Sequence, residues 1–364
     1  MKENIFISVI QAALDFVPKR QEIAHEFLAS TSKAKRYVIG RNDQSAELIQ
    51  KYRIDGVVDD FDKTNTVWMG VPLIPMAQLP SNAIVVNCST SISPVSVTES
   101  LCRAGISNIV SISEIIQAAR GEIALPWFVA QQREDFRQHA QDWERLYDLM
   151  SDEESKRTLL DTVRYRLTAD EQYMQGYRVR LKDQYFEDFL NLHEEIFVDA
   201  GGFDGDTTEE FCHRCPDYRK VIFFEPSTKN MEAAKQRLAK FNNIEFCDVG
   251  LSDAEGVLHF NADAGSASSV TEGDGETIQV TRLDLAVKER VTFIKMDLEG
   301  WELKALAGAA GHIKQGKPKL AIAVYHRASD FREIANYVLS LNSEYRIYLR
   351  HYTQGWSETV MFFI

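Results

Sequence analysis

Residues 197–208 read FVDAGGFDGDTT, and this stretch joins a buried strand to a glycine-rich turn that carries three aspartates. Its first residues are apolar and predict a strand that ends at Asp199. Residues 200–205 form an AxGxxG pattern, in which glycines let the backbone approach a ligand closely. Ligands of open α/β sheets bind at the carboxyl ends of the strands. The stretch therefore predicts an α/β sheet with a ligand site at this strand end.

Further strands follow along residues 194–364, most of them separated by helices. The predicted strands read EIFVDAG, VIFFEPS, IEFCDVG, VTFIKMD, KLAIAVYH, YRIYLRHY and ETVMFFI. The last two are joined by the short turn TQGW and must be antiparallel, because a parallel crossover needs a dozen or more residues. A parallel sheet closed by one antiparallel terminal hairpin separates methyltransferases from nicotinamide-binding folds. Two inserted segments, VLHFNAD and TIQVTRLD, flank the loop GSASSV (residues 265–270), which we expect to close over cofactor or acceptor.

Acidic residues at successive strand ends suit an adenosine. Glu225 ends the second strand, twenty residues beyond Gly205, where a carboxylate accepts the ribose hydroxyls. The third strand ends in residues 247–250, Cys-Asp-Val-Gly, where an adenine ring is usually held. Three strand ends in a row are thus equipped for an adenosyl cofactor.

The aspartates of the glycine turn discriminate between adenosine cofactors. NAD would place a pyrophosphate beside Asp199, Asp204 and Asp206, which would repel it. S-adenosylmethionine carries no phosphate, and its sulfonium and ammonium groups favour nearby carboxylates. Helix N-capping is the structural alternative for Asp206 and Thr207, and it is compatible with cofactor contact.

Residues 291–309, VTFIKMDLEGWELKALAGA, carry the strongest motif. Together with FVDAGGFDGDTT, FFEPS and DVGLSD, this segment closely resembles the FkbM family of S-adenosylmethionine-dependent methyltransferases, whose hallmark is I-K-x-D-x-E-G-x-E. The resemblance covers about residues 195–364 and implies a class I methyltransferase Rossmann-like sheet. Trp301 departs from the pattern, since a small residue is commoner there. The cofactor-binding residues expected from the strand ends and the resemblance are Asp199, Gly201, Gly202, Asp204, Gly205, Asp206, Thr207, Glu225, Asp248, Val249, Gly250 and Asp297.

Methyl transfer to a hydroxyl requires alignment and removal of a proton. Asp297 and Glu299 end the fourth strand, and His326 ends the fifth. We expect His326 or Asp297 to handle the proton, with Glu299 orienting. The structural alternatives are that Glu299 caps the helix beginning at Gly300 and that His326 is only hydrogen-bonded; Lys295 is expected on the opposite face. As a further alternative, Asp297, Glu299 and His326 together hold a divalent cation, as in metal-dependent O-methyltransferases.

The N-terminal half predicts a second, smaller Rossmann-like domain. Within residues 34–112, the strands AKRYVIG, DGVVDDF, AIVVNCST and NIVSI alternate with helices, which indicates a parallel sheet. The turn at residues 40–43 lacks the GxGxxG spacing. The run VVDDF followed by MGVPLIPMAQLP resembles the nucleotide-sugar domain of PglD-like sugar acyltransferases. The alternative is a degenerate domain used for packing or dimerisation.

Residues 126–192 change character, with many charged residues, apolar residues at helical spacing and almost no glycine or proline. They predict a helical connector of two or three helices. Its aromatic residues either line an acceptor pocket or form the packed helix face; they are Tyr165, Tyr173, Tyr177, Tyr185 and Phe186. The predicted domains are therefore residues 1–125, 126–193 and 194–364.

Bulk properties restrict partners and compartment. A formal net charge of −13 argues against nucleic acid or an anionic membrane as the main partner. No apolar run approaches a bilayer span, and the N-terminal stretch is expected to form a helix, not a signal peptide. Five scattered cysteines suit a reducing cytoplasm, and the pair Cys212 and Cys215 is expected on a buried helix face.

These expectations combine into a function. The resemblances imply a cytoplasmic O-methyltransferase that acts on a hydroxyl of a sugar or related small-molecule or glycan acceptor, in polysaccharide biosynthesis. The expected partners are that acceptor, including a nucleotide-linked sugar, and a second copy of the chain in a homodimer. The alternatives are a divalent-cation-assisted O-methyltransferase of a secondary metabolite, a non-catalytic scaffold that kept the cofactor fold, and a nicotinamide oxidoreductase.

Overall fold

The computed structural model describes residues 4–15, 21–260 and 276–364. The chain divides into two compact units. The first comprises residues 1–144, 157–179 and 351–357, and the second comprises residues 145–156, 180–350 and 358–364. The division into domains 1–125, 126–193 and 194–364 stays a prediction. The loop GSASSV (265–270) lies outside the described residues.

The first unit contains a mainly parallel sheet. Its strands are β1 (Arg36–Ile39), β2 (Gly56–Val58), β3 (Val67–Trp68), β4 (Val71–Ile74), β5 (Ile84–Asn87) and β6 (Asn108–Ser111). Their order is β3-β4-β2-β1-β5-β6. All neighbouring pairs are parallel except β3 with β4, which form a short antiparallel edge that the sequence analysis did not predict. The predicted parallel sheet is thus confirmed.

Helices flank the strands of the first unit. They are α1 (Ile5–Leu14), α2 (Gln21–Leu28), α3 (Asp43–Lys51), α4 (Pro94–Arg103) and α5 (Ile112–Ala118). Local capping fixes where α3 begins: the Asn42 side chain accepts the Ser45 N–H, and the Ser45 hydroxyl accepts the Asn42 N–H. The same reciprocal pattern joins Ser111 and Glu114 at the start of α5. These caps satisfy N–H groups that a helix leaves unpaired.

Two long helices occupy the predicted connector: α6 (Trp127–Leu149), which is interrupted by non-helical backbone at His139, and α7 (Glu153–Thr168). Short 3₁₀ turns follow at Glu171–Met174, Leu181–Asp183 and Asp188–Leu190. None of the helices within the described ranges has the length and apolar character that a bilayer span requires.

The second unit contains a seven-stranded sheet. Its strands are β7 (Ile196–Ala200), β8 (Lys220–Phe224), β9 (Ile244–Cys247), β13 (Phe293–Met296), β14 (Lys319–Ala323), β15 (Ile347–His351) and β16 (Thr359–Phe363). Their order is β15-β16-β14-β13-β7-β8-β9. The pairs from β14 to β9 are parallel, and β16 runs antiparallel to β14. This order confirms the predicted methyltransferase-type sheet with its reversed terminal strand.

The inserted segments form a separate small sheet, and helices complete the unit. The sheet consists of β10 (Gly250–Leu251), β11 (Gly256–Phe260) and β12 (Glu276–Thr281), in the order β10-β12-β11. The helices are α8 (Asp206–Arg214), α9 (Thr228–Arg237), α10 (Leu283–Ala286), α11 (Glu302–Gly308), α12 (Ala310–Gly316) and α13 (Asp330–Leu341). Cys212 and Cys215 are buried at the end of α8 and are unbridged, as expected.

The core of the second unit lies along its central strands. Phe197 on β7 stacks on Phe211 of α8, with ring centroids 4.2 Å apart, and on Phe293 of β13 at 4.9 Å. All three rings are fully buried, and burial of each side chain contributes about 1.5–3 kcal/mol. Continuous buried runs such as these are typical of parallel strands covered on both faces. They hold the strand ends at one fixed edge.

Candidate active site

The carboxyl ends of four parallel strands carry the predicted site residues. Asp199 lies on β7, Glu225 follows β8, Asp297 follows β13, and His326 lies three residues beyond β14. The strands are adjacent in the sheet order, so these ends meet at one edge. These residues therefore lie at one edge of the sheet, and their function there stays a prediction.

The glycine turn after β7 is dictated by packing within the chain itself. A Cβ on Gly201, which has a φ of +74°, would lie 2.0 Å from the carbonyl oxygen of Asp297. A Cβ on Gly202 would lie 2.1 Å from the ring of Phe223. The N–H groups of Gly201 and Gly202 both donate to the carbonyl of Phe224 at 3.0 Å. The turn consequently requires glycine whether or not a ligand is present.

Asp199 and Lys295 form a buried ion pair. The Lys295 Nζ lies 3.0 Å from Asp199 Oδ1, and the side chains are 3% and 0% exposed. Lys295 also donates to the carbonyl of Gly201 at 2.8 Å, and the Thr208 hydroxyl donates to Asp199 Oδ2 at 2.7 Å. The expectation that Lys295 points to the opposite face is wrong. The two residues are register partners on neighbouring strands, so their side chains share one face.

The other acids of the turn differ in their partners. Arg237 donates to Asp204 Oδ2 at 2.6 Å and to the Asp204 carbonyl at 3.0 Å. Asp206 begins α8, and its carboxylate accepts the Thr207 N–H at 2.6 Å. Gly205 precedes it with a φ of +85°. Two of the three aspartates therefore pair with cations of the chain, which leaves Asp206 as the acid of this turn without an ion pair of its own among the described residues.

Glu225 lies buried beside the turn. Its carboxylate accepts the N–H of Phe203 at 3.0 Å and that of Ser227 at 2.8 Å. Burial raises the pKa of Glu225, although these N–H donors oppose the shift. Phe203 itself has a φ of +49° and is 59% exposed, so it presents an aromatic ring to solvent beside this carboxylate.

The third strand end is more open. Asp248 is exposed, Val249 is half-buried, and Gly250 is buried at the start of β10. A Cβ on Gly250 would lie 3.2 Å from Val280 of β12. The indole N–H of Trp301, the residue that departs from the family pattern, donates to the Ser252 hydroxyl at 3.2 Å. Trp301 thus borders the loop on which the adenine was predicted.

Asp297, Glu299 and His326 converge as predicted. His326 Nε2 lies 3.4 Å from Asp297 Oδ1 and 3.4 Å from Glu299 Oε2. The side-chain exposure is 6% for His326, 21% for Asp297 and 39% for Glu299. Glu299 has a φ of +52°, a conformation that costs free energy in a non-glycine residue and clusters at functional sites. The trio is open on its carboxylate side and closed on its histidine side.

Glu302 lies next to Nδ1, the other ring nitrogen of His326. Its Oε1 lies 3.1 Å from His326 Nδ1 and accepts the N–H groups of Leu298 at 2.7 Å and Gly300 at 3.3 Å. Glu302, not Glu299, therefore satisfies the turn before α11, which begins at Glu302. Glu302 is the last acid of the family motif, and no role was predicted for it from the sequence. Its side chain is 1% exposed.

The acids around His326 control its charge. Burial acts to lower the pKa of His326, but the carboxylates of Glu302, Glu299 and Asp297 outweigh burial and raise that pKa well above 6.5. The imidazole is thus charged at neutral pH when the site contains no other cation.

Two tyrosine hydroxyls contact Asp297, and an amide and a further carboxylate lie behind one of them. Tyr185 donates to Asp297 Oδ2 at 2.6 Å, and Tyr325 donates to the same oxygen at 3.3 Å. Gln184 donates to Tyr185 Oη at 3.0 Å and to Glu358 Oε2 at 2.7 Å. Burial, together with the charge of Asp297, raises the pKa of Glu358 to about 7. Gln184 and Glu358 had no signal in the sequence, because neither lies in a motif.

Five aromatic residues were predicted as one possible lining of an acceptor pocket. They belong to different units of the chain. Tyr185 contacts Asp297, and Phe186 packs on Phe211 with ring centroids 6.3 Å apart. Tyr165, in the first unit, is buried and donates to the Thr90 carbonyl at 2.9 Å. Among these five, Tyr185 is the residue that the structure brings to the acidic site; Tyr173 and Tyr177 also belong to the first unit.

A cavity lies beside α8, and a set of possible ligand atoms lies around His326. The cavity, of about 480 Å³, is lined among others by Asp206 and Thr207 of α8, by Gln184 and by Arg237 of α9. Asp297, Glu302 and His326 each offer one ligand atom within 4.8 Å of the others. Of the predicted site residues, Asp206 and Thr207 line the cavity.

Comparison with known proteins gives a family model that matches part of the chain and a solved structure with a similar fold. Residues 199–350 match the family model of the methyltransferase FkbM domain. The structure is similar to that of a methyltransferase FkbM from Methylobacillus flagellatus KT, with a TM-score of 0.74, 24% identity, and coverage of 99% of this chain and 98% of that one. None of the curated proteins compared matches the chain.

Two smaller solved structures match part of the chain. An rRNA methylase from Streptococcus thermophilus has 20% identity and a TM-score of 0.33, with 48% of this chain and 90% of that one covered. Aeropyrum pernix fibrillarin in complex with natively bound S-adenosyl-L-methionine has 10% identity and a TM-score of 0.34, with 50% and 71% covered.

Proposed function

We propose, from the FkbM methyltransferase domain that residues 199–350 form, that this protein transfers a methyl group from S-adenosylmethionine to a hydroxyl of a sugar or related small-molecule or glycan acceptor. The observation that supports transfer to oxygen is the convergence of Asp297, Glu299 and His326 at the carboxyl edge of the sheet. A hydroxyl becomes a good nucleophile only as its proton is removed, and the carboxylates of Asp297 and Glu299 are proton-accepting groups.

The charge distribution at the glycine turn fits a cofactor that lacks phosphate. Asp206 begins α8, so its carboxylate would repel a pyrophosphate bound at this helix N-terminus, whereas Asp199 and Asp204 are paired with Lys295 and Arg237. Glu225 accepts hydrogen bonds from N–H groups and would accept the hydroxyls of a ribose. The predicted preference for a cationic adenosyl cofactor is kept, but at this turn it rests on Asp206.

Individual residues then take distinct parts. Glu225 and the Asp248 loop would hold the ribose and adenine, and Asp206 and Thr207 line the cavity beside α8. When bound, S-adenosylmethionine supplies an activated methyl group on a sulfonium. Asp297 removes the proton of the acceptor hydroxyl, the protonated His326 lies 3.4 Å from Asp297 Oδ1, and Glu302 positions the histidine ring through Nδ1. Glu299 borders the open side of the trio and orients the acceptor.

The sugar part of the proposal is supported by the resemblance of the N-terminal segment to PglD-like nucleotide-sugar domains. In the aspartate pair of that motif, Asp59 is engaged from the turn after β1, because Arg41 lies 3.2 Å from it; Arg41 also lies 2.9 Å from Asp62. Asp60 accepts the N–H of Met76 at 2.9 Å. A nucleotide-sugar site in the first unit, a homodimer, a role in polysaccharide biosynthesis and a cytoplasmic location remain predictions.

A two-step experiment tests the function. Calorimetry with the full chain should show binding of S-adenosylmethionine, and binding should weaken in Glu225→Gln. Release of S-adenosylhomocysteine would then be followed with a panel of free sugars, nucleotide sugars and phenolic metabolites. Absence of cofactor binding at millimolar concentration would overturn the enzyme and favour a scaffold protein. Turnover with phenols but not sugars would overturn the acceptor class.

A further inference from the structure

We infer that Asp297, Glu299 and His326 bind a divalent cation, and that Glu302 fixes the histidine that binds it. The cation site itself follows from the geometry, whereas its part in methyl transfer rests on the proposed function.

The distances around His326 Nε2 suit a metal better than a hydrogen bond. Nε2 lies 3.4 Å from an oxygen of Asp297 and 3.4 Å from an oxygen of Glu299. An N–H···O hydrogen bond usually spans about 2.7–3.2 Å, so both separations are long. Ligand atoms around a tetrahedral cation with bonds of about 2.0–2.1 Å lie about 3.4 Å apart. Each of the two oxygens therefore already lies at ligand spacing from Nε2.

Buried polar atoms at this site lack hydrogen-bond partners. Within the described part of the chain, neither ring nitrogen of His326 makes a hydrogen bond of acceptable geometry, although the side chain is only 6% exposed. Oε2 of Glu302, which is 1% exposed, also has none. Buried polar atoms nearly always have a hydrogen-bond partner, so several neighbouring atoms without one indicate a bound ligand. A cation bound to Nε2 of His326 would provide the partner that this nitrogen lacks.

The two ring nitrogens of His326 have different neighbours, and this assigns the ligands. Nδ1 faces Glu302, whose Oε1 already accepts the N–H groups of Leu298 and Gly300. Histidines that bind metals typically donate their other ring N–H to a carboxylate, which fixes the ring. Glu302 takes this supporting position. Asp297 and Glu299, on the Nε2 side, remain as the oxygen ligands.

The negative charge of the surrounding carboxylates favours binding of a cation. Asp297, Glu299 and Glu302 lie around a single imidazole, and Asp330 and Glu358 act on the same site electrostatically. Nearby Lys295 is already paired with Asp199. Arg327 approaches from solvent, with its Nε 3.3 Å from where a Cβ on Gly300 would lie. A divalent ion offsets this acidity where the acceptor must bind.

One imidazole with two carboxylates indicates the class of metal. Imidazole suits zinc and other transition ions, carboxylates suit manganese, and calcium and magnesium prefer oxygen alone. We therefore assign Mn²⁺ or Zn²⁺. Three protein ligands leave an open position for the acceptor hydroxyl. With the ion bound, Asp297 would serve as a ligand instead of the base, and the acceptor hydroxyl would lose its proton to solvent; its oxygen would form the new bond to the methyl carbon, and the carbon–sulfur bond would break to give S-adenosylhomocysteine.

The test measures metal binding without turnover. The full chain is stripped with a chelator and titrated with Mn²⁺, followed by calorimetry and by electron paramagnetic resonance, and in parallel with Zn²⁺. We expect one ion per chain. Glu299→Gln should weaken binding by at least about tenfold, and so should Glu302→Gln, which acts through the ring. The control is Glu344→Gln, whose side chain is 79% exposed and lies outside the site.

Each outcome decides. No binding of either metal at millimolar concentration, or equal binding by Glu299→Gln and Glu344→Gln, overturns the site. A second substitution, Asp297→Asn, should give the same loss, and circular dichroism verifies that both variants fold. Metal binding without binding of S-adenosylmethionine refutes the proposed function and leaves the site standing. Cofactor binding without metal binding does the reverse.

Discussion

Replacing Lys295 with methionine should destabilise the protein strongly, because it leaves the carboxylate of Asp199 buried without its cation. The pair is 3.0 Å apart, with side-chain exposures of 3% and 0%. Removing one partner of such a pair typically costs about 3–5 kcal/mol. Lys295→Met also loses the hydrogen bond to the Gly201 carbonyl, worth about 1 kcal/mol. We expect the free energy of unfolding to fall by about 3–5 kcal/mol, towards the upper end.

A second substitution separates the pair from the isolated charge. In Asp199→Asn with Lys295→Met, no buried charge remains, and asparagine still accepts the hydroxyl of Thr208, which donates to Asp199 at 2.7 Å in the parent. The double variant should recover most of the lost stability, since a buried pair contributes little net free energy against neutral groups of similar size. Recovery would show that the cost arises from the unpaired carboxylate and not from lost packing.

The assay is urea unfolding followed by circular dichroism, with Lys304→Met as the matched control. Lys304 pairs with Asp253 at 2.8 Å, but the side chains are 54% and 40% exposed, so its loss should cost less than about 1 kcal/mol. The reasoning is refuted if Lys295→Met is no more costly than Lys304→Met. It is also refuted if the double variant is no more stable than Lys295→Met.

Three further predictions concern stability. Gly201→Ala should lower the melting temperature by several degrees in a thermal scan, because its Cβ would meet the Asp297 carbonyl at 2.0 Å; an unchanged melting temperature would contradict this. Burial raises the pKa of Asp330 from 3.8 to about 7. The contribution of this carboxyl to the free energy of unfolding is therefore fully present below pH 3.8 and is lost as the pH rises through 7. The free energy of unfolding of Asp330→Asn, measured with urea, should therefore increase relative to that of the parent between pH 4 and 9, by at most about 4 kcal/mol. Parallel pH profiles of the two proteins would contradict this prediction. Burial opposes ionisation of Asp152, but Arg350 outweighs it and lowers the pKa of Asp152 to about 2, so this stability is present above pH 3.8 and lost as the pH falls through 2. In Arg350→Met, the decrease in the free energy of unfolding at acid pH should be smaller than in the parent by about 1 kcal/mol. An unchanged decrease would contradict this prediction.

The sequence predicted the strands of the second unit because their apolar runs are long and buried on both faces. It also predicted the strand ends that carry Glu225, Asp297 and His326, since parallel strands end at a common edge. The short antiparallel strands β3 and β4 were missed, because an edge strand of two residues, Val67–Trp68, has no periodicity to detect. The glycines were interpreted as leaving room for a ligand, and the structure adds a second requirement: a side chain on Gly201 would meet the Asp297 carbonyl of its own chain.

The sequence by itself determined the sheet, the family motif and which strand ends carry chemistry, because these follow from local periodicity and residue order. Only the tertiary structure decided which charges remain available. Register placed Lys295 beside Asp199, and the approach of α9 brought Arg237 to Asp204. The same long-range packing put Glu302 behind His326. Partners on different strands and helices are set by register and packing, which no local pattern encodes.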